Sequence, residues 1–139
     1  MRYLGLDLGT KTLGLSLSDV TGTIASTYKV IRFSENDFDS LLPILKEIVM
    51  NENVEELVLG LPKNMNNTMG DRALTTLEFK EKLESYLNKK VNLMDERLST
   101  VAAHNYMLES DMSRKKRKEK VDALAANIIL QSYLDKKGN

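Results

Sequence analysis

The 139-residue sequence contains no cysteine, which excludes disulfides and thiolate metal sites and permits a reducing compartment. It has one histidine, His104, in a segment of mixed polarity where a surface or packing role outweighs a catalytic one. Net charge is absent too: 20 basic residues balance 20 acidic ones. A protein that coats nucleic acid with its whole surface would be basic. No apolar run approaches the roughly 18–20 residues of a membrane span. The N-terminus opens on a strand-like pattern rather than a signal-peptide layout. With 42% hydrophobic and 29% charged residues, the composition is that of an ordinary globular protein able to bury one core. One domain over residues 1–139 is expected, cytoplasmic and without membrane contact.

The charge that is present is unevenly placed. Arg114, Lys115, Lys116, Arg117, Lys118 and Lys120 fall in one stretch interrupted only by Glu119. Outside that stretch 14 basic residues face 19 acidic ones, a net of −5. A local anion-binding patch on an acidic body is one reading; a solvated loop is the other.

Periodicity gives the expected order β-β-β-α-β-α-β-α-α. Tyr3–Leu8, Thr12–Ser18 and Thr23–Phe33 read as strands, with Gly9, Thr10 and Lys11 in the first turn. Phe38, Leu41, Leu42, Leu45, Ile48 and Val49 follow helical spacing, and Pro43 is tolerable if that helix starts near Ser40. Val54–Leu61 is apolar enough for a central strand and ends at Pro62. After a polar loop, Asp71 is expected to cap a helix with a core stripe of Phe79, Leu83, Tyr86 and Leu87. Val91–Asp95 reads as a fifth strand, and Ser99 or Thr100 as the cap of a helix reaching about Glu109. The basic stretch then reads as a mobile loop before a last helix from about Glu119 to Leu134. Three leading strands suggest an antiparallel meander; the later ones should run parallel to the first.

Three acids stand where chemistry is expected. Asp7 ends the first strand on the face opposite Leu4, Leu6 and Leu8, and Gly5 and Gly9 beside it leave room for a ligand. A carboxylate within a sheet needs something to bind its charge, although an Asp at a strand end can also serve a turn. Glu96 follows the fifth strand, at the carboxyl end where open α/β sheets gather ligands. A solvated pair with Arg97 is its alternative. Asp122 opens a run to Leu130 in which only it and Asn127 are polar. A carboxylate there must be paired, protonated or metal-bound, or else serves the helix dipole. Together the three offer hard oxygen ligands suited to Mg²⁺ or Mn²⁺, and two such ions support phosphodiester cleavage.

Four segments carry a resemblance to a known family: Gly5-Leu6-Asp7-Leu8-Gly9-Thr10-Lys11, Gly60-Leu61-Pro62-Lys63-Asn64-Met65 with Gly70, Asp95-Glu96-Arg97-Leu98-Ser99-Thr100, and Lys120-Val121-Asp122-Ala123-Leu124-Ala125-Ala126. In this order they resemble the YqgF family of RNase H-like proteins, described as Holliday-junction resolvases and as nucleases maturing pre-16S ribosomal RNA. The resemblance implies an α/β RNase H-like fold with a five-stranded mixed sheet. It implies Asp7, Glu96 and Asp122 as catalytic, metal-holding acids, and Lys11 and Arg97 as phosphate-facing residues. Arg114, Lys115, Lys116, Arg117 and Lys118 would add further nucleic-acid contacts. Thr12, where a second basic residue is common, and Ser99, where Thr is common, depart from the pattern without touching the acids. The implied partner is nucleic acid, with an RNA precursor favoured and branched DNA, as for a Holliday junction resolvase, the alternative, bound by a monomer or a homodimer.

Two other readings compete. The first segment also resembles the phosphate loop of sugar-kinase, actin and chaperone ATPases, which need two such domains where this chain has room for one. A non-catalytic nucleic-acid or ribosome-associated factor is the stronger rival, but a pure binder gains nothing from clustered negative charge near phosphate.

Overall fold

The computed structural model describes residues 1–62, 70–95 and 114–138, the last segment by its backbone alone up to residue 122. A five-stranded mixed sheet organises the chain. Strands β1 (Tyr3–Leu8), β2 (Thr12–Ser18) and β3 (Ala25–Arg32) form an antiparallel meander. Strands β4 (Glu56–Leu61) and β5 (Lys90–Asp95) add in parallel on the other side of β1. The spatial order is β3-β2-β1-β4-β5, so β1 is central. The expected third strand was two residues longer at its start and one at its end.

Alternation along the strands sets two apolar layers. Leu4, Leu6 and Leu8 of β1 join Leu13, Leu15, Leu57, Leu59 and Val91 on one face. Helix α1 (Leu41–Asn51) covers that face with Leu41, Leu45, Ile48 and Val49, and α2 (Asp71–Leu87) with Phe79, Leu83 and Leu87. Pro43 lies in the first turn of α1, where its missing N–H costs no helical bond. On the other face Tyr3, Ala25 and Val58 pack against Ile129, Leu130 and Leu134 of helix α3 (Arg114–Gly138). Among the described residues no helix is long and apolar enough to cross a membrane.

Three expectations are corrected here. Gly70, in extended conformation, precedes α2, and Asp71 is its first residue rather than its cap. An acid at that position still favours the positive end of the helix. Tyr86 is 42% exposed and lies outside the core stripe, which runs through Ala73, Thr76, Phe79, Leu83 and Leu87. The basic stretch from Arg114 to Lys120 is the start of α3, not a loop. Lys and Arg are good helix formers, and a helix spreads their charges around its axis. The expected helix between Ser99 and Glu109 lies outside the described residues.

The turn between β2 and β3 is held by one carboxylate. Asp19 Oδ1 accepts the N–H groups of Thr23 (2.9 Å) and Ile24 (3.0 Å), and Oδ2 accepts the Thr21 hydroxyl. Gly22 sits at φ +69°, and a Cβ there would meet the Met1 carbonyl at 2.8 Å, so the turn requires glycine. The Thr21 hydroxyl first, then the Ile24 and Thr23 amides, hold the Asp19 carboxyl well below the usual carboxylate range. A folded pKa below the unfolded one gives stability that is complete above about pH 4 and is lost as pH falls toward the folded value. Asp19→Asn is therefore expected to lower the urea midpoint at neutral pH, with a deficit that shrinks in acid. A deficit independent of pH, measured by urea melts across the range, would show that the turn does not use the charge.

Candidate active site

The carboxyl ends of β1, β4 and β5 meet at one edge of the sheet. Leu6 is level with Leu59 and Leu59 with Leu93, so Asp7 stands next to the level of Gly60 and Met94. Asp95, the last residue of β5, pairs with Leu61 at the same edge. The turn after β1 closes tightly: Gly9 N–H donates to the Thr12 carbonyl at 2.8 Å. Residues after β3 brace it, with Phe33 N–H on the Lys11 carbonyl and Asn36 N–H on the Thr10 carbonyl, each at 2.9 Å. Arg72, in the first turn of α2, reaches over to donate to the Leu8 carbonyl at 3.2 Å. Lys11 is exposed at the tip of this turn.

Asp7 is half-buried and belongs to the face covered by α3, because its neighbours in alternation, Leu6 and Leu8, belong to the α1–α2 layer. Its partner across the ladder is Gly14, which places no side chain beside it. Helix α3 crosses that face antiparallel to β1. Ala126 and Leu130 lie over Gly5, and Lys137 lies at the other end of the strand against Tyr3, its Nζ 4.7 Å from the ring centroid. The Ser16 hydroxyl, beside Gly5 on β2, donates to the Ala126 carbonyl at 2.8 Å and is fully buried.

This crossing places position 122. From Ala126 back to Asp122 the helix axis advances by roughly 6 Å. From Gly5 to Asp7 the strand advances by roughly 6.7 Å in the same direction. The backbone of Asp122 therefore stands over the carboxyl end of β1. Glu96 and Arg97 lie outside the described residues, immediately beyond Asp95. Of the expected phosphate contacts, Lys11 is at the site's edge, while the side chains of Arg114, Lys115, Lys116, Arg117 and Lys118 are outside the description. Their backbone continues α3 beyond Asp122.

The space at Gly5 is not a ligand cradle, contrary to expectation. A Cβ there would lie 2.3 Å from Ser16 Oγ, 2.7 Å from Leu130 Cβ and 3.1 Å from the Ala126 carbonyl. The glycine lets α3 approach the sheet. The nearest described atoms to its counterpart Gly9 are those of Thr12, within its own turn. On the opposite face from Asp7, a cavity of ≈130 Å³ opens among Leu8, Thr10, Asn36, Phe38, Arg72 and Thr76. One cation escaped the sequence reading. Arg32, the last residue of β3, pairs with Thr12 and shares the Asp7 face. The signal was its alternation with Ile31, which packs into the α1–α2 layer.

Comparison with known proteins agrees with this architecture. A protein of Listeria monocytogenes that carries the name pre-16S rRNA nuclease is 50% identical over 135 residues, covering 97% of this chain and 98% of its own. A Bacillus subtilis protein of the same name is 47% identical, with the same coverage of both chains. Thermus thermophilus RuvC, solved in complex with a Holliday junction substrate, matches with a TM-score of 0.61 at 16% identity, over 100% of this chain and 96% of that one. Fowlpox virus resolvase, solved with Holliday junction DNA, matches with a TM-score of 0.59 at 13% identity, over the whole of both chains. At such identities these two likenesses establish the RNase H-like fold. The sequence model of the RuvX family, described as Holliday junction resolvase, matches residues 1–136, and the chain belongs to that nuclease family.

Proposed function

We propose that this chain cleaves phosphodiester bonds in the precursor of 16S ribosomal RNA, in the cytoplasm, with Asp7, Glu96 and Asp122 as the catalytic acids. The observation that supports the reading is the crossing of α3 over β1 at Gly5, from which the helix leads back toward the carboxyl edge where Asp7 stands. Glu96 follows Asp95 at that same edge. The donor set fits a hard divalent cation: carboxylate oxygens, no thiolate, and Gly14 rather than a side chain on the Asp7 rung. Asp7, Glu96 and Asp122 would hold Mg²⁺ or Mn²⁺, two ions in all. Bound there, such ions supply an activated water and stabilise the departing oxygen.

The chain's own groups bind and orient the substrate. Lys11 at the turn and Arg97 beyond β5 would hold phosphates on either side of Asp7. The cations of the first turns of α3 would extend that grip. Four of them crowd a helix N-terminus whose dipole disfavours positive charge, and a bound phosphate would relieve that arrangement. The overall neutral charge favours a short single strand over the long duplex arms of a junction, which demand broad phosphate contact. The names of the relatives point the same way.

Cleavage of precursor RNA and of a four-way DNA junction should be compared at one salt concentration, with Mg²⁺, with Mn²⁺ and with excess chelator. Faster cleavage of the RNA, abolished by chelator, is expected, together with a rise in melting temperature on adding either metal. Faster, symmetric cutting of the junction would overturn the substrate and leave the nuclease standing. No cleavage and no thermal shift would favour a non-catalytic factor.

A further inference from the structure

We infer that Arg32 is a phosphate-binding residue on the β3 side of the site, carrying the nucleic-acid strand across the meander beyond Lys11. The inference rests on the nuclease reading above for its ligand. Its geometry comes from the ladder. Asp7 pairs with Gly14, Gly14 with Val30, and Arg32 lies two residues further along β3. Because β3 runs in the direction of β1, Arg32 ends its strand at the edge where Asp7 lies near the end of β1. Two strand spacings and two residues of advance place it roughly 12 Å from Asp7, backbone to backbone.

Arg32 is exposed and shares the Asp7 face, whereas Ile31 turns into the α1–α2 layer. Its ladder partner Thr12 brings no charge, so Arg32 supplies the cation of that rung. Phe33 N–H on the Lys11 carbonyl fixes the neighbouring rung, which brings Lys11 and Arg32 to the same corner of the sheet. An arginine fork binds phosphate oxygens in two parallel bonds, and its contact with the backbone is independent of sequence. Lys29 provides an internal control. It is exposed on the same strand, but it pairs with Leu15 and so lies on the opposite face.

The test measures affinity for a labelled single-stranded RNA oligonucleotide across a salt series, with Arg32→Gln, Arg32→Lys and Lys29→Gln. Arg32→Gln should weaken binding by about tenfold and flatten the slope of log affinity against log salt by about 0.7. Arg32→Lys should keep the slope, and Lys29→Gln should match the wild type. In cleavage, Arg32→Gln should raise KM with little change in kcat. A wild-type slope in Arg32→Gln would overturn the inference, as would equal losses in Arg32→Gln and Lys29→Gln. Equal losses in the two Arg32 variants would show a structural role and overturn it too. Failure of the wild type to cleave any substrate would count against the nuclease reading alone, because the binding series reads Arg32 without cleavage.

Discussion

Asp7→Asn is expected to abolish cleavage, with a loss on the order of 10²–10³ or more, while the fold remains intact. Asp7 is the next-to-last residue of the central strand, on the face crossed by α3 and opposite a glycine. The substitution keeps the size and shape of the side chain and removes only its charge. If Glu96 and Asp122 converge on it, three carboxylates repel one another without a cation, so the metal-free variant should melt no lower than the wild type. The metal-induced rise in melting temperature should shrink in the variant. Glu96→Gln and Asp122→Asn should behave alike. Full activity in all three, with an unchanged response to metal, would remove the assignment.

Gly5→Ala is expected to produce a large loss of stability. The added carbon would meet Ser16 Oγ at 2.3 Å and Leu130 Cβ at 2.7 Å, and both groups are fully buried. Neither can swing away cheaply. Ser16 is tied to the Ala126 carbonyl, and Leu130 sits between strand and helix. Overpacking of this kind costs about 3 kcal/mol, which lowers the melting temperature by roughly 10 °C in a chain of this size. Activity should fall with it, because lifting α3 displaces Asp122 relative to Asp7. Adding Ser16→Gly should recover part of the loss, since it removes the nearer contact and leaves the Leu130 contact. Thermal melts of the two variants beside the wild type decide it. An unchanged melting temperature in Gly5→Ala would mean that α3 does not seat at this depth.

Much of this architecture was legible before any coordinate. Leu4, Leu6 and Leu8 alternate with Tyr3, Gly5 and Asp7, and a strand period of two assigns them to opposite faces. The apolar run of β4 announced a strand covered on both sides, and it lies between β1 and β5. Pro43 was compatible with a helix only in its first turn, where it is found. Other residues were misread for physical reasons. Tyr86 fits the period of the α2 stripe, but a helix face is wider than the surface it buries. The cations from Arg114 onward look like a solvated loop by charge, yet their backbone propensity is helical and α3 extends through them.

The sequence by itself determined the strand pattern and the family, and it nominated the three acids, because periodicity and motif order are properties of the chain taken along its length. Only the tertiary structure decided what lies across the chain. It gave Gly5 to helix packing rather than to a ligand, since the atoms that fill its space come from Ser16 and from α3, more than a hundred residues away. It set where α3 crosses the sheet, through the Ser16–Ala126 hydrogen bond beside Gly5. It brought Arg32 to the corner of Lys11, because ladder register, which no single strand encodes, decides which residues of β2 and β3 face each other.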